Sequence, residues 1–221
     1  LPSFFKDVSR TYFSVDDFTK DYCSGTLEFE PGSTFKYNNS GYFLLGNIIE
    51  KVTGDTYEAA LKKRIFDPLG MVNSGYDTSK TILKKRASGY EKSLDGLNNA
   101  AFLDMSLPFA AGSLYSTVED LYLWDRALYT EKLLNNKNKT IMFTPFLNGY
   151  AYGWGLEDIK IDKNEQVDKV ASIGHSGGIN GFHALITRLI TDEYVIVQLN
   201  NTGGVALNEM TDAITRILYG E

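Results

Sequence analysis

Residues 31–54, PGSTFKYNNSGYFLLGNIIEKVTG, constrain the rest of the chain most, because a turn, a polar cluster and an apolar helix follow one another without a linker. Pro31 fixes φ and Gly32 is free to take positive φ, which marks a turn. Beyond it, Phe43, Leu44, Ile48, Ile49 and Val52 recur at helical spacing and Gly54 offers a C-cap. The spacing therefore predicts a buried helix over residues 40–54 with Ser40 as its N-cap. Tyr37-Asn38-Asn39 stands at the mouth of that helix, on backbone stiff enough to aim side chains. A Tyr two residues ahead of an Asn is common on loops, and Asn39 taken alone reads equally well as a cap or an Asx turn.

Around this stretch the elements are mostly readable. A short helix is expected over residues 15–22 and an extended piece over 27–30. A second helix over 56–65 would turn Ala59, Leu61 and Ile65 to a core. Asp67-Pro68-Leu69-Gly70 would end it, since proline disfavours helix in the residue before it. Residues 73–99 are polar and Lys-rich, an insertion of loop character with a short strand near 86–90. Ser116-x-x-Glu119 is a capping box that opens a helix to about Tyr129, with Val118, Leu121, Trp124, Ala127 and Leu128 as its stripe. Residues 132–139 read as solvated linker or helix end. From Tyr150 the pattern turns to strands, with a hairpin around 162–164 and strands over 182–189 and 194–199 joined near Thr191-Asp192. A last helix over 206–218 carries Leu207, Met210, Ile214, Ile217 and Leu218 on one face. Helices followed by an antiparallel sheet and a closing helix give an α+β class.

Composition excludes several functions. The 221 residues suffice for one sizeable core or two small ones. A net charge of -6 argues against non-specific nucleic-acid binding. No apolar run reaches the length of a membrane span and no signal peptide is visible, so no membrane span is expected in this chain. Cys23 is the single cysteine and the histidines number two, with no metal-ligand spacing, so no metal is expected.

Gly174-His175-Ser176-Gly177-Gly178 is the second chemical stretch. It spells G-x-S-x-G, the nucleophile elbow of α/β-hydrolases, which needs a strand before it and a helix after it. Here Ile179-Asn180-Gly181 is a turn, a strand follows, and no histidine lies beyond His183, so the context fails. A Gly-rich β-turn whose His caps a strand remains open, and His183, in an alternating strand, reads as structural. Ser33-Thr34-Phe35-Lys36 spells Ser-x-x-Lys, yet a turn before it and Tyr37 after it leave no room for the helix such a dyad requires.

Residues 31–54, continued through Tyr57 and Arg64-Ile65-Phe66-Asp67-Pro68-Leu69-Gly70-Met71, closely resemble the Tyr-x-Asn region of the serine β-lactamase and penicillin-binding protein superfamily. The branch resembled is the class C β-lactamase-like one, with its D-Ala-D-Ala carboxypeptidases and esterases. Other pieces follow in family order. Leu1-Pro2 looks like the tail of a motif beyond the nucleophile region. Ala110-Ala111-Gly112-Ser113-Leu114 with Ser116-Thr117-Val118-Glu119-Asp120-Leu121 resembles a glycine turn and helix start. Tyr152-Gly153-Trp154-Gly155 resembles a family strand, and residues 174–178 resemble the third, Lys-Thr-Gly-like motif with His175 in the lysine's place.

The resemblance implies a β-lactamase/transpeptidase-like fold, an antiparallel sheet flanked by helices plus a helical region. Residues 1–221 would be the C-terminal part of one such domain, with the N-terminal portion and its SxxK serine upstream. It further implies an acyl-enzyme mechanism with no metal or organic cofactor. Tyr37 would be the proton-transfer residue and Asn39 a substrate and network ligand. His175 would supply a hydrogen bond or tunable charge, Ser176 would line the pocket, Gly177 would permit close backbone approach, and the Gly178 N–H would be one oxyanion donor. The partner would be a small-molecule or peptide acyl substrate: a β-lactam, a D-Ala-D-Ala peptide or an ester. Self-association through an exposed sheet edge is also expected, and the family's company favours an extracytoplasmic bacterial setting.

Overall fold

A computed structural model describes residues 8–163 and 166–220. Leu1-Pro2 and the tip of the hairpin at Asn164 lie outside the described residues. The chain divides into two compact units, Leu1–Ala87 with Ala101–Asp120, and Ser88–Ala100 with Leu121–Glu221.

The first unit is helical. Helix α1, Val15–Tyr22, is capped by Ser14, whose hydroxyl accepts from the Asp17 N–H. Helix α2 runs Asn39–Thr53 and stops at Gly54, which takes the left-handed φ of 71°. Its N-cap is Asn38, not Ser40: the Asn38 side chain accepts from the Gly41 N–H at 3.2 Å, so the helix opens one residue earlier than its apolar pattern suggests. Its burial also differs from expectation. Phe43 and Gly46 are buried, whereas Ile48 and Val52 are 54% and 79% exposed. Gly46 is required by packing, since a Cβ there would collide with the Ala110 methyl and the Phe109 ring.

Thr56 caps α3, Tyr57–Leu61, and Glu50 of α2 accepts from the Tyr57 N–H at 2.8 Å. Tyr57 and Ala60 carry its burial, while Ala59, expected in the core, is exposed. The helix does not end at Asp67-Pro68. It widens into a π-turn at Lys62–Phe66, with the Asp67 N–H bonded to the Lys62 carbonyl, and continues as α4, Asp67–Leu69, to Gly70. The widening has a reason: a proline ring clashes with the carbonyl four residues back, and the π-turn opens the helix at that level. The core of this unit is aromatic. The Phe18 and Phe43 rings stack at 4.5 Å, and Phe109 meets Phe43 at 4.8 Å and Tyr57 at 5.2 Å. Such pairs add about 0.5–1.5 kcal/mol each beyond area burial. Strands β1, Gly75–Tyr76, and β4, Leu114–Tyr115, pair within the same unit.

The second unit is built on a sheet. A hairpin, β2 Tyr90–Ser93 with β3 Gly96–Asn99, occupies the segment expected to be mostly loop. Helix α5, Val118–Leu128, is capped by Thr117, one residue past the expected Ser116, with the Asp120 N–H donating to its hydroxyl at 3.3 Å. Helix α6, Asn136–Phe143, lies where linker was expected. Asn135 caps it, and with no buried residue it offers no periodic stripe. Strands β5 Gly155–Lys163, β6 Gln166–Ile179, β7 Phe182–Leu189 and β8 Tyr194–Asn200 form one antiparallel sheet in sequence order. Tyr152-Gly153-Trp154 is a bend before β5 rather than strand.

On one face of the sheet, Ile173 packs with Leu128 and Trp154; on the other, Ile161, Val170, Leu189 and Ile196 cluster. Arg188, 3% exposed, donates to fully buried Asp125 at 2.6 Å. Removing one member of such a pair typically costs about 3–5 kcal/mol. Helix α7, Leu207–Leu218, turns Leu207, Thr211 and Thr215 inward. Met210, Ile214, Ile217 and Leu218, expected on the core side, are exposed at 36% to 74%.

Candidate active site

The two chemical stretches fall on different units. Tyr37 and Asn39 belong to the first. Tyr37 immediately precedes the cap Asn38, and Asn39 is the first residue of α2; both are exposed. The capping bond of Asn38 fixes the backbone between them, so the pair is aimed by a helix start. Asn39 is not the cap, which leaves its amide for other work. Ser33 lies in the turn before them, with its hydroxyl donating to the Glu30 carbonyl at 2.7 Å, and Lys36 pairs with Glu28. Neither is helical, so the two do not share a helix face. A second string of the same form, Ser3-Phe4-Phe5-Lys6, lies outside the described residues.

In the second unit, His175, Ser176, Gly177 and Gly178 are brought together at the end of β6. Strand β5 stops pairing at Gly155–Gly174, whereas β7 continues to Ile179–Phe182. Residues 175–179 therefore pair with a strand on the β7 side only among the described residues. The direction of their backbone groups follows from the ladder. The Ala151 N–H donates to the Trp154 carbonyl at 2.8 Å and the Leu156 N–H to the Gly149 carbonyl at 2.9 Å. These bonds flank Gly155 and leave its own N–H and C=O for Gly174. Alternation then sends the N–H and C=O of His175, Gly177 and Ile179 to β7, and those of Ser176 and Gly178 to the open side. G-x-S-x-G here lies within a strand that turns into another strand, which is not the elbow context.

The two glycines are not explained by their own fold. An added Cβ at Gly177 would meet only the Ala184 methyl, at 3.9 Å, and one at Gly178 would meet nothing within 4 Å. Neither takes a left-handed φ. Their smallness keeps the open side of the strand accessible.

His175 is held at both ring nitrogens. Its Nδ1 lies 2.6 Å from the Ser176 carbonyl and its Nε2 2.8 Å from the Tyr150 hydroxyl. A carbonyl only accepts, so Nδ1 carries a proton. In the neutral ring Nε2 then accepts from Tyr150, and in the imidazolium it donates. Tyr150 was missed as a site residue. Its sequence signal is weak, a tyrosine ahead of a Gly-rich bend with no spacing to tie it to His175. Among the described residues no group of His, Cys, Asp and Glu could hold a metal ion, and no helix is long and apolar enough to cross a membrane.

Comparison with known proteins completes the picture. A family model described as Beta-lactamase matches residues 2–219. A putative penicillin-binding protein, PbpX of Bacillus subtilis, is 33% identical over 207 residues, covering 93% of this chain and 50% of the relative. The human mitochondrial serine beta-lactamase-like protein LACTB is 28% identical over 200 residues, covering 79% of this chain and 36% of the relative. The chain thus spans half or less of these curated relatives. Among solved structures, a penicillin binding protein from Bacillus halodurans superposes with a TM-score of 0.81 at 27% identity, over 97% of this chain and 66% of that one. A D-amino acid amidase from Ochrobactrum anthropi has the same TM-score of 0.81 at 23% identity, which speaks to fold. The fold is β-lactamase/transpeptidase-like, as the resemblance implied.

Proposed function

Because the chain belongs to the beta-lactamase family, we propose that it is the C-terminal part of a penicillin-recognising serine acyl-hydrolase working through an acyl-enzyme. The observation that carries this reading is the half-open end of β6, where the Gly178 N–H points away from β7. An acyl substrate laid along that side as an added strand would find the Ser176 and Gly178 backbone groups facing it. The Gly178 N–H would stabilise the oxyanion as the tetrahedral intermediate forms, a task for which a fixed main-chain donor is well suited. Tyr37 would relay the proton between nucleophile and leaving group, and Asn39 would hold the substrate amide. His175, braced by Tyr150, would offer a hydrogen bond or positive charge to the substrate's carboxylate.

The nucleophile is assigned to residues outside this chain, so the 221 residues alone are expected to be inactive. The test is acylation by a fluorescent penicillin and hydrolysis of a chromogenic cephalosporin, run on the natural-length protein and on the 221-residue chain. Acylation of the first and silence of the second are expected. Turnover by the 221-residue chain that is lost on Ser3→Ala, Ser33→Ala or Ser176→Ala would overturn the assignment. The alternative reading is a binding module that keeps the groove without turnover. Tight penicillin binding by the natural-length protein with no covalent adduct would select that reading. Self-association through the outer edge of β8 is part of the same proposal.

A further inference from the structure

The end of β6 has a weakness. The turn from β6 to β7 has two residues, Asn180 and Gly181, between the pair Ile179–Phe182. Only Gly181 is left-handed, at φ 74°; Asn180 is not. The turns that match strand twist in two-residue hairpins need positive φ at the first central residue, and other turns splay the strands. With β5 absent beyond Gly174, nothing within the sheet itself counters that splaying on the side away from β7.

The bracing comes from another element. Glu91, on β2, accepts from the Gly181 N–H at 2.6 Å. Beside it, a Cβ on Gly89 would meet the Phe182 ring at 2.6 Å, so the ring lies directly over that glycine. Strand β2 is itself anchored past the end of β8. The Tyr90 N–H donates to the Asn201 carbonyl at 3.0 Å, the Gly203 N–H to the Tyr90 carbonyl at 2.8 Å, and the Asn201 amide to the Ser88 carbonyl at 2.8 Å. A hairpin from residues 88–100 thereby clasps the β6–β7 turn to the segment after β8.

We infer that Glu91 is a positioning residue for the acyl-transfer reaction: by holding the Gly181 N–H it fixes the turn that aims the Gly178 N–H, three residues back, at the developing oxyanion. This rests on the proposed function. Gly203 is part of the device. It is not left-handed, and a Cβ there would collide with the Glu91 carboxylate, so its lack of a side chain leaves room for the carboxylate to reach Gly181.

Three variants separate aiming from folding. In the natural-length protein, Glu91→Ala is expected to lower kcat about tenfold with KM changed less than about threefold, since small misplacement of a reacting group costs rate more than affinity. Glu91→Gln keeps an acceptor oxygen at the same reach and is expected to restore the wild-type rate. Gly203→Ala keeps the carboxylate but displaces it, and is expected to behave as Glu91→Ala. In the 221-residue chain, Glu91→Ala and Gly203→Ala should speed amide exchange at Gly181, Ile179 and Gly177, and Glu91→Gln should not. Wild-type kinetics in Glu91→Ala, or a loss in Glu91→Gln equal to that in Glu91→Ala, would overturn the inference and leave the proposed function standing. Unchanged exchange at Gly181 in Glu91→Ala would overturn the clasp itself. Absence of acylation in the wild-type natural-length protein would overturn the proposed function and the aiming role with it.

Discussion

Under the proposed function His175 stands in for a lysine, and its surroundings show what such an exchange entails. A lysine ammonium is a flexible point charge with three donors, whereas an imidazole needs both nitrogens satisfied in the plane of the ring. Here the Ser176 carbonyl holds one nitrogen and the Tyr150 hydroxyl the other. Tyr150→Phe removes the second. The neutral ring, held as the Nδ1–H tautomer in the wild type, is then expected to show a mixture, read from imidazole nitrogen shifts in a two-dimensional NMR spectrum. Unchanged shifts would mean that the Ser176 carbonyl alone orients the ring. At this scale the sequence was legible where residues are adjacent. His175-Ser176-Gly177-Gly178 could be read as one cluster because a single strand carries them, whereas Tyr150 reaches His175 only through a bend and a strand pairing. Glu91 was invisible for the same reason, since its partner lies 90 residues away.

The helices show how local pattern and tertiary packing divide the evidence. Caps are local, and Gly54 and the Val15–Tyr22 bounds follow from the residues themselves. The Asn38 cap was missed because the apolar count starts later than the hydrogen bonding. Which apolar residues face inward is not local. In α2 the partner surface selects Phe43 and Gly46 and leaves Ile48 outside; in α7 it selects Thr211 and Thr215 over Met210 and Ile217. Gly46 makes the point testable. Alanine is the better helix former by about 1 kcal/mol, so propensity alone predicts that Gly46→Ala stabilises. The collision with Ala110 and Phe109 predicts the reverse. A net loss of about 1–3 kcal/mol is expected from overpacking, read from the midpoint and slope of urea denaturation. A gain in stability would show that the α2 contact is loose.

At the scale of the molecule, the sheet has two edge strands among the described residues, β5 and β8, and β5 meets Tyr150 at its first residue. Strand β8 has β7 on one side and no strand on the other among the described residues, with Tyr194 and Leu199 of that strand 46% and 43% exposed. Helix α7 adds the exposed Met210 and Ile217. Open strand edges with apolar neighbours recruit other chains. Concentration-dependent association of the 221-residue chain is therefore expected in sedimentation velocity, weakened by Leu199→Lys. A single monomer boundary at high concentration would count against the edge as an interface. The class of architecture was legible, because helix and strand periods differ. The open border at β8 was anticipated only through the family resemblance, since nothing in the residues of β8 distinguishes an edge strand from a central one.

The half-open end of β6 has a further consequence, for inheritance. The donor assigned to the oxyanion is a main-chain N–H, so it belongs to position 178 whatever side chain is encoded there, proline alone excepted. Substitutions at Gly178 can crowd the site but cannot delete the donor. On the inferred aiming role, the mutations able to misdirect it lie in distant codons, those of Glu91 and Gly203, outside the residues assigned to touch substrate.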